Sequence, residues 1–176
     1  MEARTAPAPT VVLQPHPGTG ETPASGLDVH IERDGLLLWL RFVVWGEVDR
    51  IAWPVETAQE RVDDLWRHTC FEVFVAADDG YVEYNMSPSS QWASYRFDGP
   101  RMGMRNAEEV VTVEGLDGAW DMVALEARIE LPPGAKRLGL SAVIETIDGA
   151  MSYWALAHPS AKPDFHHPDS FVLDLP

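Results

Sequence analysis

The sequence contains a single cysteine, Cys70, and this scarcity excludes an internal disulfide framework and any paired-cysteine metal or redox site. Cys70 lies inside a run of strand-forming residues, where we expect a small buried side chain rather than a nucleophile. The chain also lacks a phosphate-binding glycine loop, a GxGxxG turn and the HExxH and GxSxG motifs. These absences predict a protein that is not an enzyme.

Basic residues are scarce as well. The chain carries 13 Lys and Arg side chains against 28 Asp and Glu, which gives a net charge of −15. Such a surface repels phosphate groups, so we expect neither nucleic acid nor an anionic membrane as a partner. No apolar run approaches the roughly 20 residues that span a bilayer, and the N-terminus lacks the apolar region of a signal peptide. We therefore expect a soluble, cytoplasmic protein.

Long helical patterns are absent, and short alternating runs take their place. In one of them, Leu27, Val29 and Ile31 alternate with polar residues, as in a half-buried strand. Turn sequences such as Asp34-Gly35 separate these runs at intervals of about 8–12 residues. The pattern predicts an all-β fold, an antiparallel β-sandwich of about ten to eleven strands. Residues 1–9 are interpreted as a flexible N-terminal arm and residues 10–176 as a single β-sandwich domain.

The densest strand signals lie between residues 64 and 97 and predict a three-stranded antiparallel meander. Aromatic rings with a few convergent polar groups are a typical way to hold sugars and other flat ligands. We expect a ligand-binding role for the residues of this type in and just before the meander: Trp66, His68, Glu72, Trp92, Tyr95 and Arg96. Packing between the sheets is the alternative for Trp92, Tyr84 and also Trp66. Glu72 interrupts an apolar strand, so it needs a partner, and Arg96 or His68 is expected to supply it.

A second polar segment, residues 158–169, contains three histidines and three prolines. Its histidines and aspartates have no recognised metal-ligand spacing, so we expect a hydrogen-bonded loop that lines a pocket rather than a transition-metal site. Calcium on the acidic loops stays open, because oxygen ligands need no fixed spacing. A third group, Met86, Met102 and Met104, offers a haem ligand, although core packing is the commoner use of methionine.

Five segments together carry a resemblance to a known family: residues 65–74 (LWRHTCFEVF), 83–89 (EYNMSPS), 91–97 (QWASYRF), 153–159 (YWALAHP) and 162–166 (KPDFH). In this order they resemble the bacterial DOMON-like proteins, which are related to family 9 carbohydrate-binding modules, over residues 10–175. The resemblance implies a β-sandwich that binds a sugar or a haem and performs no chemistry itself.

In family 9 modules, tryptophans clamp a terminal sugar and charged side chains bond its hydroxyl groups. By position in the motif, the resemblance implies Trp66 as the first ring, with Glu72 and Arg96 as polar partners. It offers Trp154 or Phe165 as the second ring. DOMON domains that bind haem use a methionine and a late histidine, which here would be Met86 or Met102 with His158 or His166.

These observations favour a non-enzymatic module that binds a carbohydrate or a sugar-like small molecule. A haem-binding electron-transfer domain is the alternative, and an enzyme that uses the 158–167 loop with Glu72 is a third reading. No cofactor is expected. We predict that Trp66, Glu72, Arg96 and the 158–166 loop line a single concave site, to which the loop contributes His158, Asp164, Phe165 and His166.

Overall fold

The computed structural model describes residues 9–176, and in this range the chain forms twelve β-strands and three short 3₁₀ helices. The predicted flexible arm, residues 1–9, lies outside the described residues except for Pro9. No helix in the described range is long and apolar enough to cross a membrane. The strands are β1 Thr10–Pro15, β2 Ala24–Asp34, β3 Leu37–Gly46, β4 Cys70–Ala76, β5 Tyr81–Met86, β6 Trp92–Phe97, β7 Arg105–Asn106, β8 Val111–Ala119, β9 Met122–Glu130, β10 Arg137–Glu145, β11 Met151–Ala155 and β12 Leu173–Asp174. The 3₁₀ helices are Val48–Arg50, Leu65–Arg67 and Pro168–Ser170.

The strands form two antiparallel sheets that share β1. Sheet 1 has the order β1-β2-β3-β9-β8, and sheet 2 has the order β7-β6-β5-β4-β10-β11-β1, with β12 beside β10. The first half of β1 pairs with β2, and its last residues, Gln14 and Pro15, pair with β11. The predicted all-β antiparallel sandwich is confirmed.

The main core lies between the two sheets, because alternate residues of each strand point inward. Sheet 1 contributes residues such as Val29 and Phe42, and sheet 2 contributes Val73 and Tyr84. The Phe42 ring packs 5.0 Å from the Phe71 ring across the interface. Period-two alternation therefore decides which side chains face the interior and which face outward.

The outer face of sheet 2 is also covered, which explains why β4 and β5 are apolar along most of their length. A second cluster of buried rings lies there, formed by Phe74, Tyr81, Tyr95, Phe97 and Phe171. Phe165, from the 158–169 segment, packs against it. The polar C-terminal segment thus lies over the outer face of sheet 2, and the space it leaves uncovered forms a cleft.

The register of the β4–β5–β6 meander aligns the side chains on this outer face. Glu72 of β4 lies opposite Asn85 of β5, and Glu83 of β5 lies opposite Tyr95 of β6. On the other side of β4, Glu72 lies opposite Ser141 of β10. Because directly opposed residues share a face, these five side chains lie together on the outside of sheet 2.

Candidate functional site

An open cleft of about 670 Å³ lies on the outer face of sheet 2. Sheet 2 supplies its floor, and the segment after β6, the short helix before β4 and the 162–166 segment supply its walls. The residues that line it are Trp66, Glu72, Glu83, Tyr95, Phe97, Arg101, Met104, Val143, Tyr153, Lys162, Pro163, Phe165 and His166.

Two carboxylic acids lie at the floor of this cleft. Glu72 is only 3% exposed, and one of its oxygens accepts a hydrogen bond of 3.1 Å from the Ser141 hydroxyl. Burial raises the pKa of Glu72 well above its usual range, and the neighbouring charge of Glu83 raises it further. Burial likewise raises the pKa of Glu83 to about 7, although the adjacent Asn85 amide and, to a lesser degree, the Arg101 guanidinium oppose this shift. Both side chains are therefore held closer to their neutral form than an exposed glutamate would be.

Asn85 adds a buried amide to the same face. Its side chain is 1% exposed and makes no hydrogen bond of good geometry within residues 9–176, although its amide lies close enough to the Glu83 carboxylate to lower the pKa of that group. Asn85 lies opposite Glu72 and two residues after Glu83 on the same strand. It therefore shares the outer face of sheet 2 with the two acids and does not itself line the cleft.

His166 closes one side of the floor and is held by its neighbours. Its Nδ1 atom lies 2.7 Å from the Tyr81 hydroxyl oxygen, which accepts a hydrogen bond from the backbone N–H of Arg101. The Tyr81 hydroxyl can therefore donate to Nδ1, which leaves the hydrogen on Nε2, the atom that lies 3.5 Å from a Glu83 carboxylate oxygen. Burial lowers the pKa of His166 to about 4, and the charge of Arg101 lowers it further, so the imidazole is neutral at pH 7.

Aromatic rings form the walls. Trp66 lies on the 3₁₀ helix Leu65–Arg67, is 49% exposed and has the Arg67 guanidinium 5.5 Å from its ring centre. Tyr95 is fixed from behind by a 2.5 Å hydrogen bond from its hydroxyl to Asp63. Phe165 lies opposite, with its ring 6.2 Å from the ring of Tyr153. The arrangement gives one exposed ring and several enclosed rings around a polar floor.

The 158–169 segment is held in place mostly by hydrogen bonds. His158 bonds the backbone oxygen of Gln14 at 2.7 Å, and the backbone oxygen of Ser160 meets His16 at 3.1 Å. One carboxylate oxygen of Asp164 accepts both the backbone N–H of His166 and a guanidinium N–H of Arg101, at 3.1 and 3.2 Å. Asp164 thereby ties the segment to Arg101 at the rim of the cleft. Lys162, also at the rim, is exposed.

The structure brings five of the predicted site residues to the cleft: Trp66, Glu72, Tyr95, Phe165 and His166. Asp164 reaches it only through Arg101. Arg96 lies elsewhere, since it is next to Tyr95 in the strand and faces the sandwich interior, where it pairs with Glu109. Trp92 also faces inward, packed against the core under the Arg61 guanidinium.

The remaining predicted residues are also outside the cleft. Trp154 is a core residue between the sheets, with its indole N–H donated to Ser152. His68 is exposed beyond the end of the sheet and pairs with Glu145 at 2.8 Å. His158 is occupied by Gln14. The expectation that Arg96 or His68 pairs with Glu72 is wrong, because a serine hydroxyl from β10 is the partner of Glu72.

Several residues that line the cleft were not predicted. Glu83 and Tyr153 are the most important, and the period-two alternation of their strands could have predicted their position. Glu83 falls on the outer face because Tyr84 faces the core, and Tyr153 does so because Trp154 faces the core. Arg101, Met104 and Lys162 belong to loops, for which no periodicity exists.

Neither of the methionines predicted as haem ligands, Met86 or Met102, lines the cleft. Met86 is fully buried in the core between the sheets, and Met102 is largely exposed. Met104 does line the cleft with His166, but both nitrogens of that imidazole face other groups, Tyr81 and Glu83. The residues present therefore do not fit an axially ligated haem iron. In the described range, no group of three or more His, Cys, Asp or Glu side chains is arranged to hold a metal ion.

A second groove, of about 780 Å³, lies at the far edge of the molecule between the β1–β2, β8–β9 and β10–β11 connections. Its conspicuous residues are Trp45 and Trp120, the latter 87% exposed. The carboxylates around this groove are at the surface, and Glu47 is paired with Arg50. This groove therefore has exposed aromatic rings but lacks the buried carboxylic acids that form the floor of the cleft on sheet 2.

Neither a protein-family model nor a curated protein matches this sequence. Among solved structures, one similar chain is a "putative carbohydrate-binding protein" from Bacteroides uniformis ATCC 8492. The two structures superpose with a TM-score of 0.60 at 13% sequence identity, over 93% of this chain and 84% of that chain. At this identity the similarity shows that the chain shares the β-sandwich fold of that protein.

Proposed function

We propose that this protein is a non-enzymatic binding module and that the cleft on sheet 2 holds a carbohydrate or a sugar-like small molecule. The observation that carries the proposal is the half-exposed ring of Trp66 beside the two buried carboxylic acids at the floor of the cleft. A sugar presents a C–H face that stacks on a ring and hydroxyl groups that bond polar side chains. Glu72, Glu83 and His166 supply both donors and acceptors at the floor.

Two further observations support this proposal. The chain shares its fold with a protein whose name describes carbohydrate binding. Its motifs resemble those of the DOMON-like proteins related to family 9 carbohydrate-binding modules, in which an early tryptophan has the position of Trp66. We propose Phe165 as the second ring of the clamp, with the Tyr153 ring next to it, because Trp154 is buried in the core and does not line the cleft.

A hydrolytic role for the same cleft is less well supported. Glycoside hydrolysis needs one protonated and one ionised carboxyl group on either side of the scissile bond. Here burial raises the pKa of both Glu72 and Glu83, so neither carboxyl group keeps the ordinary pKa at which a nucleophile or base would stay ionised. We propose that these side chains bind ligand and do not transfer protons to it.

Methyl NMR spectroscopy of the methionines tests where a ligand binds. The chain has six methionines, of which Met104 lines the cleft and Met122 lies on sheet 1. After a saccharide panel has identified a binder, its titration into protein labelled at the methionine methyl groups should shift the Met104 signal and leave Met122 in place. A panel in which no saccharide binds, or a shift confined to Met122, contradicts the proposal.

A further inference from the structure

Among the residues that the structure describes, the carboxylates at the floor of the cleft lack the cationic partner that other enclosed carboxylates of this protein have. Glu109 is buried and pairs with the Arg96 guanidinium, and Asp164 at the rim pairs with Arg101. For Glu72 and Glu83, within residues 9–176, the only Lys, Arg or His nitrogen inside 4.0 Å is the His166 Nε2 atom. Glu109 and Asp164 therefore each form an ion pair with an arginine, and within the described part of the chain the two carboxylates that face the cleft do not.

His166 does not act as that missing charge. Its imidazole is enclosed by the rings of Phe74, Tyr81 and Phe97, at centre-to-centre distances of 5.0, 5.8 and 5.1 Å. Burial keeps it neutral at pH 7, as its lowered pKa indicates. The floor thus presents two acids and a neutral imidazole, with the Asn85 amide beside Glu83 on the same face of the sheet.

A cationic group on the ligand would complete this arrangement. A buried carboxylate without a counter-charge is costly, and a paired, hydrogen-bonded one is not. Ammonium groups also bind favourably near aromatic rings, and the walls provide Trp66, Tyr95 and Tyr153. The positive charges that face the cleft lie at its rim, where Arg101 is neutralised by Asp164 and Lys162 is exposed.

We propose that the ligand of the cleft is an amino sugar, a hexosamine with a free amine, whose ammonium group binds between Glu72 and Glu83 while its ring stacks on Trp66. This inference rests on the proposed carbohydrate-binding function and narrows its ligand class. The ammonium nitrogen has three hydrogens to donate, and the oxygens of Glu72 and Glu83, which both line the cleft, are its acceptors.

Calorimetry with three matched oligosaccharides tests the inference: a glucosamine oligomer, its N-acetylated counterpart and a glucose oligomer of the same linkage and length. The Kd of the glucosamine oligomer should be at least about tenfold lower than the Kd of either neutral oligomer. At about pH 5.5, where the amine already carries its proton and the carboxyl groups of the cleft are largely neutral, its binding should release protons because the ammonium group favours ionised carboxylates. The measured heat should therefore vary with the ionisation enthalpy of the buffer.

Matched charge variants separate the cleft from the acidic surface as a whole. Glu83→Gln, and independently Glu72→Gln, should remove the preference for the glucosamine oligomer and most of the proton release. Glu32→Gln removes the same charge from an exposed position on β2 and should preserve both. If Glu32→Gln weakens binding as much as the cleft variants do, the attraction is a general effect of the net charge and the inference is wrong.

The outcomes also separate the two proposals. Equal binding of all three oligomers, or a preference that survives both glutamine variants, overturns the amino-sugar inference and leaves carbohydrate binding in place. If none of the three oligomers binds and the wider saccharide panel is also negative, the proposed function fails together with the inference.

Discussion

The Nε2 atom of His166 lies 3.5 Å from a carboxylate oxygen of Glu83, and both side chains are shielded from solvent by the aromatic rings of the outer cluster. Burial shifts the pKa of the carboxyl group upward and that of the imidazole downward, so each group is favoured in its neutral form. The pair therefore behaves as two enclosed neutral groups at pH values where an exposed Glu–His pair would be ionic.

The raised pKa of Glu83 makes the stability of the protein depend on pH. Its pKa rises from 4.5 to about 7 on folding, so the folded state binds more protons than the unfolded state between these values. The stabilisation is present at low pH and is lost as the pH rises towards 7. A Glu83→Gln variant stays neutral throughout and does not lose it. We expect the melting temperature of Glu83→Gln to rise relative to wild type between about pH 4.5 and 7.

The control for this experiment is Glu32→Gln, at an exposed carboxylate. His166 contributes in the opposite direction, because its lowered pKa makes stability increase as the pH rises from about 4 to 6.5. That contribution is shared by wild type and Glu32→Gln. Glu83→Gln also removes the charge that raises the pKa of Glu72, so the comparison reports the Glu72–Glu83 pair as a unit. If the melting temperatures of wild type and Glu83→Gln change with pH in parallel across this range, Glu83 is not held in its neutral form.

Trp154→Ala should destabilise the protein severely. Trp154 is packed in the core between the sheets and donates its indole N–H to Ser152. Replacing a buried tryptophan by alanine costs about 3–5 kcal/mol, because the cavity that remains collapses only partly. For a domain of this size each kcal/mol lowers Tm by about 2–4 °C. A thermal melt of Trp154→Ala that matches wild type would contradict the position of this ring in the core.

Cys70 should be unreactive in the folded protein. The thiol is buried in β4, and burial raises its pKa well above the usual range, with a further contribution from the Glu72 carboxylate. The reactive species is the thiolate, so a thiol reagent such as 5,5′-dithiobis(2-nitrobenzoate) should label no cysteine in native protein and one after denaturation. Rapid labelling without denaturant would show that β4 is accessible.

Haemin should not form a specific complex. Met86 is in the core, and the two nitrogens of His166 face Tyr81 and Glu83, so neither of these two predicted ligands is free to hold iron. Titration of haemin should give only weak, unsaturable spectral changes that are the same in wild type and in His166→Ala. A stoichiometric complex with a shifted Soret band, lost in His166→Ala, would favour the electron-transfer alternative.

The sandwich was predictable because strand alternation and turn residues are local signals. Leu27, Val29 and Ile31 face the core as their spacing indicates, and the Asp34-Gly35 and Asp148-Gly149 turns lie between paired strands. A closing strand is also predicted over residues 171–173, and the structure has β12 at Leu173–Asp174. The two-residue strand β7 is defined by its pairing with β6 rather than by a sequence pattern, because two residues are too few to show an alternation.

The cleft was predictable only in part, for a geometric reason. Adjacent residues of a strand point to opposite faces, so Tyr95 and Arg96 cannot both line one site. The same rule applies to Tyr153 and Trp154. Trp66 is flanked by polar residues on a short 3₁₀ helix, which agrees with its exposure. The partner of Glu72 was not predictable, because Ser141 lies 69 residues away and only the β4–β10 register brings the two together.

The most direct test of carbohydrate binding in the cleft compares two tryptophans of similar exposure. Trp66 is 49% exposed and lies beside Arg67 in the cleft, and Trp39 is 40% exposed and lies under Arg128 on sheet 1. Neither ring is a core residue, so both alanine variants should melt close to wild type, since surface changes usually cost about 0.5 kcal/mol or less. Isothermal titration with the saccharide identified by the panel should show binding weakened at least about tenfold in Trp66→Ala and unchanged in Trp39→Ala. Unchanged binding in Trp66→Ala, or equal losses in both variants, would contradict the account.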